Sequence, residues 1–194
     1  MEEPRHNKER EILKLVSSFQ KERAITALMD EYGEEIKRLV YTYVKNWAQT
    51  DDITQDVFVT LYLKIENFRG ESALRSWIYS IAINKCKDYL RSWHYRKIKL
   101  TDEIIKVTRS SNQSTPETEL ELQDKKSELS QLVLSLPLKY REVIILFYYK
   151  DLSIKEICSV LNEKESTIKT RLRRARESLK KLFPAKEGSE QLGR

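Results

Sequence analysis

The densest concentration of chemically useful side chains lies between Lys164 and Lys181, where eight Lys and Arg stand against two acids, Glu165 and Glu177. Cations packed that closely on a short segment attract a polyanion such as a nucleic-acid backbone. A second cluster, Asn67-Phe68-Arg69-Gly70-Glu71-Ser72, sets a ring beside a cation, as do Tyr95, Arg96 and Lys97. Bases stack on rings while cations follow phosphates, so such pairs suit single-stranded nucleic acid. Trp77, Tyr89 and Trp93, at helical spacing, are read as core.

The usual equipment of enzymes is missing. His6 and His94 have no partner to orient them as a base, and Gly33, Gly70, Gly188 and Gly193 are too isolated for a phosphate loop. Glu34-Glu35 and Asp51-Asp52 read as helix N-terminal or solvated charge rather than a carboxylate pair. Cys86 and Cys158 have no metal-ligand spacing and are expected to be core thiols in a reducing cytoplasm. No catalytic residue, metal site or cofactor is therefore expected.

The elements that position these residues must be helices. The chain has 194 residues (23.1 kDa), a net charge of +6 and a pI near 9.1, with 34% charged and 40% hydrophobic residues but only 4 Gly and 4 Pro. So few turn formers argue against hairpins. No window approaches a membrane span and the N-terminus lacks a signal-peptide layout, so membrane insertion is not expected. From Thr101 to Asp124 six acids face two bases among Ser, Thr, Asn and Gln, a composition that cannot bury enough apolar area to order itself. The fold expected is all-α: two small helical domains joined by a flexible acidic linker.

In the C-terminal domain, Ser153-Ile154-Lys155-Glu156 fits a capping box opening a short helix with apolar Ile154, Ile157, Cys158 and Leu161. A turn at Asn162–Glu165 precedes a second helix with an apolar face of Ile168, Leu172, Ala175, Leu179 and Leu182. At ~100° per residue, Thr170, Arg173, Arg174 and Glu177 fall opposite Ile168, with Lys169, Arg171 and Arg176 on the flanks. That is a helix-turn-helix, whose second helix enters the major groove. Thr170, Arg173 and Arg174 then reach base edges, Lys169 sits at the rim, and Ser166, Thr167, Arg171 and Arg176 hold phosphates. An amphipathic hairpin with solvated charge remains an alternative, and Glu177 suits the groove only opposite a cytosine amino group. Before this pair, a helix with Pro137 as first residue runs through Val143–Tyr149, either filling the core or leaving an apolar patch for a protein partner.

In the N-terminal domain Thr50 can cap a helix whose first turn is Asp51-Asp52, with Ile53, Val57, Leu61 and Ile65 inward, Val59 and Tyr62 near them, and Gln55, Asp56 and Thr60 elsewhere. A later helix running to about Trp93 buries Leu74, Ile78 and Ile81 on one side and Tyr79, Ile83 and Leu90 on another. Ser76, Ser80, Asn84, Lys87 and Arg91 form a polar stripe between them.

Asp51-Asp-Ile-Thr-Gln-Asp-Val-Phe58, Asn67-Phe-Arg-Gly-Glu-Ser-Ala-Leu74 and Trp77-Ile-Tyr-Ser-Ile-Ala-Ile-Asn84 resemble region two of bacterial RNA polymerase sigma factors of the extracytoplasmic-function (ECF) type. Leu136-Pro-Leu-Lys-Tyr-Arg-Glu-Val143, Leu152–Ile157 and Arg171-Leu-Arg-Arg-Ala-Arg176 resemble region four. The resemblance covers about residues 25–182. It implies region two over 25–96 and region four over 127–184, on either side of the linker (97–126). Residues 1–24 precede the family's region as an extension, an extra amphipathic helix or a tail, and 185–194, with Gly188 and Gly193, read as a disordered tail.

The resemblance also implies roles. Asp52, Gln55 and Asp56 would dock on the clamp coiled coil of core RNA polymerase. Phe68, Arg69, Gly70, Glu71, Ser72 and Ala73 would capture a flipped base of the melted minus-ten element, with Asn84, Lys87 and Arg91 meeting it beside the duplex junction. Lys169, Thr170, Arg173 and Arg174 would read the minus-thirty-five duplex, where Arg173 replaces a bulkier apolar residue of relatives. The first helix of region four would rest on the polymerase flap. An anti-sigma factor is a further implied partner, and the cytoplasm the implied location. The rivals are a helix-turn-helix regulator acting without polymerase and a helical adaptor binding only protein.

Overall fold

The computed structural model describes residues 4–70, 72–92 and 128–182, which form α-helices and no strand. Glu71, Trp93, His94, the expected linker and the expected tail lie outside the described residues. The helices are α1 (Pro4–Ser17), α2 (Lys21–Val44), α3 (Trp47–Lys64), α4 (Leu74–Arg91), α5 (Glu128–Ser135), α6 (Leu138–Ile144), α7 (Ile154–Leu161) and α8 (Glu165–Leu182). They gather into two compact units, one holding α1–α4 with residues 155–162, the other α5, α6 and α8.

In the first unit α2 packs against α1, α3 and α4. Ala24, Leu28, Tyr32, Ile36, Leu39 and Val40 recur at three- and four-residue steps and are all buried. Ile53, Val57, Leu61 and Ile65 meet them as expected, and so do Leu74, Ile78 and Ile81 with Tyr79 and Ile83, whereas Leu90 near the end of α4 is only half-buried. Val59 (58% exposed) and Tyr62 (37%) stay outside, because the four-residue step of the buried set fills the inward face without them. Within the extension Pro4–Ser17 form α1: Ile12 is buried, and Lys8 and Glu9 reach Glu31 and the Tyr32 hydroxyl of α2 (both 2.6 Å). The expected boundary after residue 24 thus falls inside α2.

The start of α3 differs from expectation. Asn46, not Thr50, caps it, its side-chain oxygen accepting from the Gln49 N–H at 3.0 Å. Thr50 is buried a turn inside, its hydroxyl donating to the Asn46 carbonyl at 2.8 Å. Lys45 in the left-handed region (φ 54°) ends α2 just before, so the chain turns within two residues. Ser76 is also buried rather than on the polar stripe.

In the second unit Pro137 precedes α6 as its N-cap rather than forming its first residue. Past Ile144 the ladder widens, the Lys150 N–H bonding to the Ile145 carbonyl five residues back (3.0 Å). This divides the apolar run: Val143–Leu146 are buried, whereas Tyr148 and Tyr149 are about half exposed (51% and 50%). Ile168, Leu172 and Ala175 of α8 are buried, but the face does not extend to its end, since Leu182 is 47% exposed. Cys86 is buried as expected; Cys158 is only half-buried.

Candidate nucleic-acid interface

Three surfaces carry the residues singled out in the sequence. The first is a cavity behind the loop before α4. A single 3-10 turn, Ile65–Asn67, leads into it, and Gly70 adopts φ +71°, a conformation that a side chain would strain. The reversal brings Phe68, Arg69 and Ser72 around a space of about 150 Å³, with Asn67 and Trp77 completing its wall. The Phe68 and Trp77 rings lie 5.1 Å apart at 49°. Gly70 and Ala73 are exposed at the rim, and the Ala73 carbonyl accepts from the Trp77 N–H at 3.1 Å.

Trp77, read from the sequence as core, was not expected at this site, and Asn67, which opens the loop segment, was given no role there. For Trp77 the signal was spacing: Trp77, Ser80, Asn84, Lys87 and Arg91 follow steps of three and four, so the indole heads the stripe in the place expected of Ser76. Asn84 and Arg91 on that stripe are exposed and Lys87 is half-buried.

The second surface runs along α3. Asp52, Gln55 and Asp56 are exposed within little more than one turn, and among the described residues neither aspartate has an ion-pair partner. Asp51 differs, held by Lys37 at 2.7 Å. Gln55 also lines an open groove of about 590 Å³ between α2 and α3, walled by Ile25, Met29, Phe58, Val59 and Tyr62. Exposed Met29 and Val59 make its wall largely apolar, with Lys37, Thr54 and Gln55 as the polar lining, and an exposed apolar patch of this kind is typical of a protein-binding surface.

The third surface is the outer face of α8. Asn162 (φ 53°) ends α7 in the left-handed region and Glu165 opens α8, so the turn is Asn162–Lys164. Ser166, Lys169, Thr170, Arg173, Arg174 and Arg176 are exposed; Thr167 and Arg171 are half-buried. Lys169 pairs with Glu165 and Arg173 with Glu177, each at 2.6 Å one turn apart. Glu177 therefore has a cation beside it, which lessens the repulsion expected of an acid facing phosphate. Arg174 has no ion-pair partner among the described residues. Arg171 bonds Glu142 (3.0 Å) and Glu163 (2.6 Å), and Arg176 donates to the Tyr148 hydroxyl (2.8 Å) while lying over the Phe147 and Tyr148 rings.

A second apolar groove, about 370 Å³, opens in the same unit between Leu129 and Val133 of α5, Tyr148, Tyr149 and Leu179, with Arg176 at its edge. The exposed end of the apolar run thus joins a continuous patch. Among the described residues no cluster of His, Cys, Asp and Glu could hold a metal ion, and no helix is long and apolar enough to cross a membrane.

Comparison with known proteins gives two family matches in order: Sigma-70 region 2 over residues 28–95 and Sigma-70 region 4 over 126–179. The chain is 30% identical to the ECF RNA polymerase sigma factor SigW of Bacillus subtilis (strain 168) over 164 residues, spanning 81% of this chain and 88% of that protein. It is 28% identical to the ECF RNA polymerase sigma-E factor of Escherichia coli (strain K12), spanning 85% and 90%. Two solved structures share the fold. CnrH in complex with the cytosolic domain of CnrY has a TM-score of 0.60 and 23% identity, covering 88% of this chain and 93% of that one. The sigma factor RpoE in complex with the anti-sigma factor NepR, from Bartonella quintana, has a TM-score of 0.54 and 19% identity, covering 79% and 92%.

Proposed function

We propose a division of labour for this chain, which belongs to the RNA polymerase sigma factors of the extracytoplasmic-function type. Its first unit docks on core polymerase through Asp52, Gln55 and Asp56, with the groove between α2 and α3 receiving apolar side chains of the clamp coiled coil. The loop cavity then takes one unpaired base of the minus-ten element, using Phe68, Arg69, Gly70, Ser72 and Ala73 together with Asn67 and Trp77. Glu71, also assigned there by resemblance, lies outside the described residues. Asn84, Lys87 and Arg91 carry the adjoining strand along α4.

The second unit reads the minus-thirty-five element as duplex. Thr170, Arg173 and Arg174 face base edges in the major groove, Lys169 sits at the rim of the contact, and Ser166, Thr167 and Arg176 meet phosphates. The apolar groove lined by Tyr148 and Tyr149 rests on the polymerase flap. An anti-sigma factor that binds the chain in the cytoplasm would compete for these same surfaces. The polymerase performs the bond-making; this chain supplies recognition and strand capture.

The observation that carries the reading is the cavity behind Gly70, where two rings and a guanidinium surround a space open to solvent. Extracting a base from its stack costs a few kcal/mol, and such a site offers new stacking in return. Both recognition elements ride on one polymerase, and the resulting effective concentration helps offset the rest.

The test is transcription of fragmented genomic DNA from the source organism by core polymerase with and without the full chain. The expected result is a set of new 5′ ends, each preceded by two sequence elements at fixed separation. Duplex binding without any core-dependent transcript would favour the regulator instead.

A further inference from the structure

We infer that Arg171 is a positioning residue that fixes α8 for duplex reading and does not itself contact a phosphate. The inference rests on the reading of α8 as a recognition helix and deepens it. The Arg171 guanidinium spans two carboxylates, Glu142 of α6 at 3.0 Å and Glu163 of the preceding turn at 2.6 Å, and its side chain is only 21% exposed. Glu142 is itself 4% exposed. A buried carboxylate that loses its cation is strongly destabilised, so this contact resists exchange for a solvent-side phosphate.

Charge points the same way. One guanidinium shared between two carboxylates has no unmatched positive charge of its own, and a phosphate brought to it would meet both acids at close range. Arg171 follows Thr170 and comes just before Arg173 and Arg174. Tying it to α6 and to the turn sets the rotation of α8 about its axis, and hence which base edges those neighbours reach. Exposed Arg174, with no ion-pair partner among the described residues, is the contrast.

The two roles give opposite signs for the carboxylates. If binding were governed by net charge, replacing Glu142 or Glu163 by the amide would tighten DNA binding. If Arg171 positions α8, the same replacements weaken it. The probe is the duplex most enriched from a random pool by the wild-type chain with core polymerase, compared with an unselected duplex of equal length, and affinity is measured at several KCl concentrations.

Arg171→Ala is expected to lose roughly tenfold or more on the selected duplex and little on the unselected one, with an unchanged salt slope. Glu142→Gln should lose affinity in the same direction, and the double variant should be no worse than Arg171→Ala alone. Equal loss on both duplexes with the slope reduced by about one, or tighter binding by Glu142→Gln, overturns the proposal. Where Arg171→Ala does not fold, Glu163→Gln decides: a smaller loss of preference supports positioning, and unchanged or tighter binding overturns it. Failure of the wild-type chain to enrich any duplex would instead remove the reading of α8 itself, and this inference with it.

Discussion

The Trp77 indole closes against the Phe68 ring at 5.1 Å and 49°, so one wall of the loop cavity comes from the loop and the other from the first turn of α4. Neither ring alone makes a pocket. The hinge is Gly70, whose positive φ lets the chain reverse between them.

Trp77→Ala and Phe68→Ala are each expected to weaken binding of a forked template with an unpaired minus-ten strand by about 1–3 kcal/mol, the usual worth of one base stacking on a ring. Binding to a fully paired minus-thirty-five duplex should not change. Fork and duplex affinities measured with the same holoenzyme separate the two. Equal loss on both would place the defect in folding or core binding rather than base capture.

Most of the fold was legible because burial follows spacing: Ile53, Val57, Leu61 and Ile65 could face inward on one element only. The start of α3 was not, because Asn46 and Thr50 are both good caps, and tertiary packing that buried Thr50 chose between them. The widened turn after Ile144 left no mark in composition, since every residue of the run is apolar. The cavity was half legible: Phe68 and Arg69 were visible as a pair, whereas Trp77 has the same helical spacing as core aromatics, and only the loop's reversal exposes it. The partners of Arg171 lie 29 and 8 residues away, beyond the reach of local pattern.

Gln55→Ala with Asp56→Ala should lower affinity for core polymerase. Both side chains are exposed, so stability should stay within about 0.5 kcal/mol. Val59→Glu provides a charged variant of the apolar wall, with the same loss expected. Pull-down of core subunits together with thermal unfolding checks both, and undiminished recovery of core would refute the docking face.

Arg174→Ala is expected to weaken the minus-thirty-five contact by about 1–3 kcal/mol and relax preference at one base pair. Lys169→Ala, which removes a rim cation already paired with Glu165, should act more evenly across sequences. Selection from a randomised duplex by each variant distinguishes them. A uniform loss for Arg174→Ala would move that residue to the phosphate class.

Cys86 predicts an alkaline limit on stability. Burial pushes its thiol from the ordinary 9.0 up to about 12, a shift led by desolvation and opposed by a backbone hydrogen bond and the nearby Lys87 charge. Below pH 9 folded and unfolded chains both keep the proton, so the group's contribution is intact. Between pH 9 and 12 the unfolded chain ionises first and is favoured, by up to about 1.4 kcal/mol for each pH unit. Wild-type stability should therefore fall faster than that of Cys86→Ala across this window, after each is referred to its own value at pH 8. Denaturant unfolding of both proteins at pH 8 and pH 10.5 measures the difference. Parallel losses would mean that the thiol ionises in the folded chain as readily as in the unfolded one.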